Sequence, residues 1–101
     1  MDDNNTYNKN MQQRDENTEK LAKVVGKVIS IVRKNNVGAS LRTLAYEYDL
    51  DHGNLYRIEN GKIEVKFVTL WKIAEALQMK CSELVSLIEN EIGNDFHLYD
   101  D

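Results

Sequence analysis

The chain has 101 residues, 42% apolar and 30% charged, with one cysteine, no proline and a net charge of −4. That length supports one modest core but not a catalytic cleft between lobes, and no stretch approaches the ~18 consecutive apolar residues of a membrane span. The start MDDNNTYNKN has no basic segment followed by an apolar block, so it does not read as a signal peptide, and the lone Cys81, which has no partner for an internal disulfide, fits a reducing cytoplasm.

Residues 1–17 are rich in Asn, Gln and Asp and offer few apolar anchors, which predicts a disordered polar arm. From Thr18 the pattern changes. Leu21, Val24, Val25, Val28, Ile29 and Val32 recur at three- and four-residue steps, the mark of an amphipathic helix ending near Asn35-Asn36. Ser40 is placed to cap a short second helix that buries Leu44, Ala45 and Tyr48, and Asp51 to cap a third that Gly61 ends. FVTLWKIAEAL puts Phe67, Leu70, Ile73, Ala74 and Leu77 on one face of a fourth helix, and SELVSLIENEI does the same for Leu84, Leu87, Ile88 and Ile92 in a fifth. The expected fold is all-α, five helices over residues 18–92, followed by an acidic tail over 93–101.

Charge is unevenly placed. Residues 1–19 hold two basic side chains against five acidic ones, and residues 91–101 hold four acidic ones and no Lys or Arg. Residues 20–90 hold eleven basic against eight acidic, so an acidic total hides a mildly basic middle.

Two short helices meeting at an abrupt corner over residues 41–60 form the arrangement whose second helix is narrow enough to enter a DNA major groove. Leu55 and Ile58 define the buried side of that helix, which leaves His52, Gly53, Tyr56, Arg57 and Asn60 toward the outside. Arg57 has the donors for guanine O6 and N7, His52 can donate or accept one bond, and Tyr56 can stack or bond phosphate. Gly53 lets the helix approach a duplex closely. Read without DNA, the same residues form an ordinary solvated helix face.

SLRTLAYEYDLDHGNLYRIENGK resembles the core of the lambda-repressor-like helix-turn-helix family (Cro and phage repressors, XRE type). The likeness rests on Ser40, the Leu44-Ala45 pair, Leu50 in the turn, Leu55, Arg57-Ile58-Glu59 and Gly61, with VGKVISIVRK upstream and TLWKIAEAL and SELV downstream, over roughly residues 24–88. It implies a sequence-specific transcriptional regulator that binds double-stranded operator DNA, palindromic in sequence, as a homodimer. Ser40, Arg42, Thr43, His52, Gly53, Asn54, Tyr56, Arg57, Asn60, Lys62 and Lys66 are the candidate DNA-binding residues. Lys62 and Lys66 read equally well as a solvated charged loop. A salt bridge between Arg33 and Glu59 is implied by the resemblance alone; an ordinary surface glutamate is the other reading.

Three positions and the length of one segment depart from the family pattern. Leu41 stands where a phosphate-touching glutamine is common, Asp49 where many members have a turn glycine, and Val65 where a proline is frequent. The segment from Arg33 to Ser40 is one residue longer than usual. Controller proteins of restriction-modification systems are similar through the LAY, LD and IEN spacing, and phage or mobile-element regulators and antitoxins of this fold look nearly identical.

The apolar stripe of the fifth helix runs farther than so small a core uses, which makes Leu87, Ile88 and Ile92 the expected dimer interface. His52, His97 and Cys81 share no metal-ligand spacing, and no nucleophile-base arrangement emerges, so neither metal, cofactor, small-molecule ligand nor catalysis is expected. Trp71 reads as a partly buried core edge. The alternative function is a protein-interaction module, antitoxin-like or an adaptor, that keeps the fold with weak or no DNA binding.

Overall fold

Ile29 has no exposed surface and belongs to one core cluster to which all five helices contribute. The structure is a computed structural model that describes residues 15–99. The helices are α1 (Glu16–Val32), α2 (Leu41–Glu47), α3 (His52–Glu59), α4 (Phe67–Ala76) and α5 (Cys81–Ile92), and the described residues contain no strand.

α1 starts where Asp15 accepts a 2.7 Å hydrogen bond from the Thr18 amide. This cap lies inside the segment expected as a polar arm, of which residues 1–14 fall outside the described residues. Glu16 and Glu19 in the first turn complement the helix dipole. The helix continues as one π-helical turn, Arg33–Val37, closed by the Gly38 amide bonding Arg33 O at 2.8 Å and by Gly38 at φ 71°. A π turn spends one residue more than an α turn. It carries the chain from α1 toward the Ser40 cap of α2.

Ser40 Oγ accepts from the Thr43 amide at 3.1 Å and opens α2; Asp51 Oδ1 accepts from the Asn54 amide at 2.7 Å and opens α3. Between them the chain turns through Asp49 at φ 54°, a left-handed conformation that Asp tolerates better than most side chains. Leu44, Ala45, Leu55 and Ile58 fill the inside of this corner. Gly61, at φ 68°, ends α3.

α3 packs onto α1 at very short range. A Cβ on Gly26 would lie 2.5 Å from Glu59 O and closer still to Ile58 O, so only glycine permits this crossing. Ile73 and Leu84 bring α4 and α5 into the same core. Six large side chains, Ile29, Leu44, Leu55, Ile58, Ile73 and Leu84, are fully buried, each contributing roughly 1.5–3 kcal/mol through burial.

Three expectations from helical periodicity need correction. Tyr48 is 38% exposed because it caps the end of α2, beyond the buried Leu44 and Ala45. Phe67 is 67% exposed because it is the first residue of α4, whose buried residues, Ile73, Ala74 and Ala76, lie toward its other end. Ile88, expected at a surface between subunits, is 5% exposed and belongs to the protomer's own core.

Beyond α5 the chain turns at Gly93 and runs back along the start of α1. Asn17 Nδ2 donates to Leu98 O at 3.3 Å, and Lys20 Nζ stands 5.8 Å above the Phe96 ring. Within the segment expected as a tail, Phe96 and Leu98 therefore contact α1, and residues 100–101 fall outside the described part.

Candidate nucleic-acid interface

Besides its apolar packing, α3 is held from behind by an ion pair. Arg33, in the π turn, donates through Nε to Glu59 Oε2 at 2.7 Å, through Nη2 to Glu59 Oε1 at 2.8 Å, and through Nη1 to Ala39 O at 3.0 Å. The guanidinium joins the end of α1, the approach to α2 and the end of α3. Its bonds to Glu59 raise its pKa above the ordinary value despite the opposing effect of burial, so it stays charged. A planar fork of this kind fixes direction as well as distance. The rigid backing sets how α3 projects.

On the opposite side of α3, His52, Tyr56, Arg57 and Asn60 are exposed, while Gly53 and Asn54 are half-buried. Lys62 and Lys66 come next, both exposed, on the loop leading into α4. Arg42 and Thr43 are exposed on the first turn of α2 beside Ser40. The corner thus places the three groups on neighbouring short segments, α2's start, α3 and the loop after it, and all present polar groups to solvent.

Several of these groups already have partners. Ser40 Oγ donates to Thr43 Oγ1 at 2.9 Å, and Asn60 Nδ2 donates to Tyr56 O at 2.8 Å, so one N–H of the asparagine amide closes its own helix. Leu41 is partly buried and packs against the core.

A second surface carries no signal in the sequence periodicity. Phe67 and Trp71 meet edge to face, ring centroids 5.8 Å apart at 77°, and form one wall of an open apolar groove between α4 and α5. Met79, Cys81 and Val85 contribute the rest of its lining, with Glu75, Lys80 and Glu83 among the charged residues around it. Trp71 Nε1 donates to Glu75 Oε2 at 3.0 Å. Trp71 is 50% exposed, farther out than a core edge. Of the apolar residues of α5, Leu84 and Ile88 point inward, and Val85 and Ile92 are half-buried outside the core cluster. Leu87, 39% exposed, lies on the other flank, toward α1, where Lys27 pairs with Glu91 at 2.6 Å.

Among the described residues no three His, Cys, Asp or Glu side chains gather as they would around a metal ion, and no helix is long and apolar enough to cross a membrane.

Residues 27–90 match the Cro/C1-type HTH DNA-binding domain. The control protein C.MunI of a Mycoplasma species is 39% identical over 66 residues, which make up 65% of this chain and 89% of that protein. The restriction-modification controller protein C.AhdI from Aeromonas hydrophila is 30% identical, with a TM-score of 0.59 over 62% of this chain and 94% of its own. The clp gene regulator ClgR from C. glutamicum shares the fold, with a TM-score of 0.65 at 23% identity over 72% of this chain and 94% of its own.

Proposed function

Because the chain belongs to the Cro/C1-type helix-turn-helix DNA-binding family, a regulator family and not an enzymatic one, we propose that it is a cytoplasmic, sequence-specific transcriptional regulator that binds a palindromic operator as a homodimer. α3 enters the major groove. Arg57 and His52 read base edges, with Asn54 and Tyr56 beside them, while Arg42, Thr43, Asn60, Lys62 and Lys66 hold phosphates. The observation that carries this reading is the combination of an exposed polar outer face on α3 with the buried Arg33–Glu59 fork behind it. Such a helix is both presented and immobilised. The names of C.MunI, a control protein, and C.AhdI, a restriction-modification controller, favour control of a restriction-modification operon as the biological setting.

Dimerisation is assigned to the groove between α4 and α5. Phe67, 67% exposed, and Trp71, 50% exposed, with Met79, Cys81 and Val85, form an apolar surface that a solitary domain has no use for. A second copy suits it because a twofold axis makes one patch meet itself, and Lys80 beside Glu75 and Glu83 lets the lysine of each copy face carboxylates of the other. Binding successive major grooves on one face of the duplex requires the two α3 helices to lie about 34 Å apart, one turn of DNA, which centres the half-sites about 10 base pairs apart or a multiple of that.

Selection of duplexes from a random-sequence pool with the purified chain tests the proposal. Enrichment of one palindromic sequence, bound with an affinity that falls steeply with salt, is the expected result. Failure to enrich any sequence would favour the second reading, a protein-interaction module that uses the exposed Phe67–Trp71 groove.

A further inference from the structure

The side chain proposed to read guanine lies in a lane that two other residues make. Gly53 precedes Arg57 by one helical turn, and a Cβ built on it would be 3.5 Å from Arg57 Nη1 and 3.9 Å from Nη2. The guanidinium therefore folds back over the bare backbone at Gly53, toward the start of α3. The same point lies 3.4 Å from Asp51 Oδ1, so a cation and an anion flank one vacant side-chain position. Asp51 is fixed there because Oδ1 also accepts the Asn54 amide at 2.7 Å.

We propose that Asp51 and Gly53 position Arg57 for base discrimination, Gly53 by leaving open the lane in which the guanidinium lies and Asp51 by supplying a fixed counter-charge beside it. This rests on the DNA-binding reading above and adds residues whose part is selectivity. An unrestrained arginine at a DNA surface is attracted by every phosphate, since that attraction depends on net charge and carries no sequence information. Asp51 offsets the net charge of Arg57 and repels phosphate itself. Asp51 and Arg57 form no direct ion pair, so the guanidinium N–H groups keep their hydrogen-bonding capacity, which is what guanine O6 and N7 require. The carboxylate thus weakens indiscriminate binding more than it weakens the correct contact. Specificity is a difference between two affinities, and a repulsive element that acts mainly on the wrong one increases it.

At 3.4–3.5 Å from Asp51 Oδ1 and Arg57 Nη1 an added Cβ makes ordinary contact, whereas a β-branched side chain would compete with the guanidinium for the same space. Folding is not at issue in these variants, because Ala and Val are both better helix residues than Gly. Asn caps a helix about as well as Asp, so Asp51→Asn removes the charge and keeps the cap.

The test uses the full chain with the duplex most enriched from the random pool and a scrambled duplex of equal length, measured by fluorescence anisotropy at several salt concentrations. Asp51→Asn should bind the scrambled duplex about threefold or more tightly, and its salt slope should steepen by up to about one as Arg57 gains a phosphate contact. The ratio of specific to scrambled affinity should fall. In an Arg57→Ala background the same substitution should do much less, the coupling that a double-mutant cycle detects. Gly53→Val should bind the selected duplex about tenfold more weakly than Gly53→Ala does, while the two bind the scrambled duplex alike. If Asp51→Asn acts equally with and without Arg57, the carboxylate is only one more surface charge and the inference is overturned. Equal selectivity of Gly53→Val and Gly53→Ala would also overturn it. If no duplex is enriched at all, the DNA-binding reading falls as well; if one is enriched and only these variants behave otherwise, the positioning role alone falls.

Discussion

Arg33 and Glu59, 26 residues apart in the chain, meet in a two-pronged ion pair with bonds of 2.7 and 2.8 Å, their side chains only 9% and 6% exposed. Removing one partner of a buried pair strands the other charge. Glu59→Ala should therefore cost about 3–5 kcal/mol of folding stability. Glu59→Gln, which keeps the shape and one acceptor, should cost less. Urea denaturation monitored by circular dichroism checks both, and a loss below about 1 kcal/mol for Glu59→Ala would show that the fork behaves as a surface pair.

Gly26→Ala should destabilise the protein although alanine is the better helix former. The new Cβ would press into the carbonyl oxygens of Ile58 and Glu59, which are backbone atoms that move only if α3 moves. A cost of about 1–3 kcal/mol is expected, together with altered amide chemical shifts along α3. A thermal melt and a two-dimensional NMR spectrum of the variant provide the check; an unchanged melting temperature would mean that the two helices separate easily.

Val85→Glu and Ile88→Glu should have opposite consequences although they lie three residues apart on α5. Val85 faces the α4–α5 groove, so its replacement should leave a folded monomer. Ile88 is 5% exposed in the core, and a carboxylate there lacks a partner, so that variant should unfold. Light scattering and circular dichroism read the two outcomes. A dimer mass retained by Val85→Glu would move the interface elsewhere, with the Leu87 flank next in line.

Arg57→Ala and Lys62→Ala should weaken DNA binding in different ways. Loss of a bidentate guanine contact should cost about 1–3 kcal/mol on the selected duplex and relax selectivity at one position per half-site. Loss of a phosphate contact should weaken selected and scrambled duplexes alike and lower the salt slope by about one. Isotherms on both duplexes at several salt concentrations compare them; identical selectivity in Arg57→Ala and wild type would remove Arg57 as the reader.

The cap of α1 should respond to acid. The Thr18 amide and hydroxyl lower the pKa of Asp15 from its ordinary 3.8 by bonding its ionised form. A carboxylate with a depressed folded-state pKa contributes stability above its unfolded value and loses it as pH falls through the folded one. Protection of the Thr18 amide, followed by NMR from neutral pH downward, should therefore hold through pH 4 and decline below it. Asp15→Ala should abolish that step.

The features legible in the sequence are those decided within a few residues. Ser40 and Asp51 cap because a short oxygen-bearing side chain reaches an amide three residues on; Asp49 and Gly61 turn because their backbones accept positive φ at low cost. The spacing of Leu44, Leu55, Ile58, Ile73 and Leu84 places them inside because helical period alone aligns them on one face. Arg33 and Glu59 are not related by any local rule, and only the resemblance to a family joined them in advance. Periodicity likewise has no means of separating Ile88 from its neighbours Leu87 and Val85, nor of foreseeing that Phe67 remains outside, that Gln78 turns at φ 63° or that Gly26 admits α3. Nor does it place Leu98 beside Asn17 or bring Arg57 and Asp51 to either side of Gly53. Local hydrogen bonding and helical period determine which face of each helix is apolar; where and at what angle two such faces cross determines which of those apolar residues a neighbour covers, and that is settled only by packing all five helices at once.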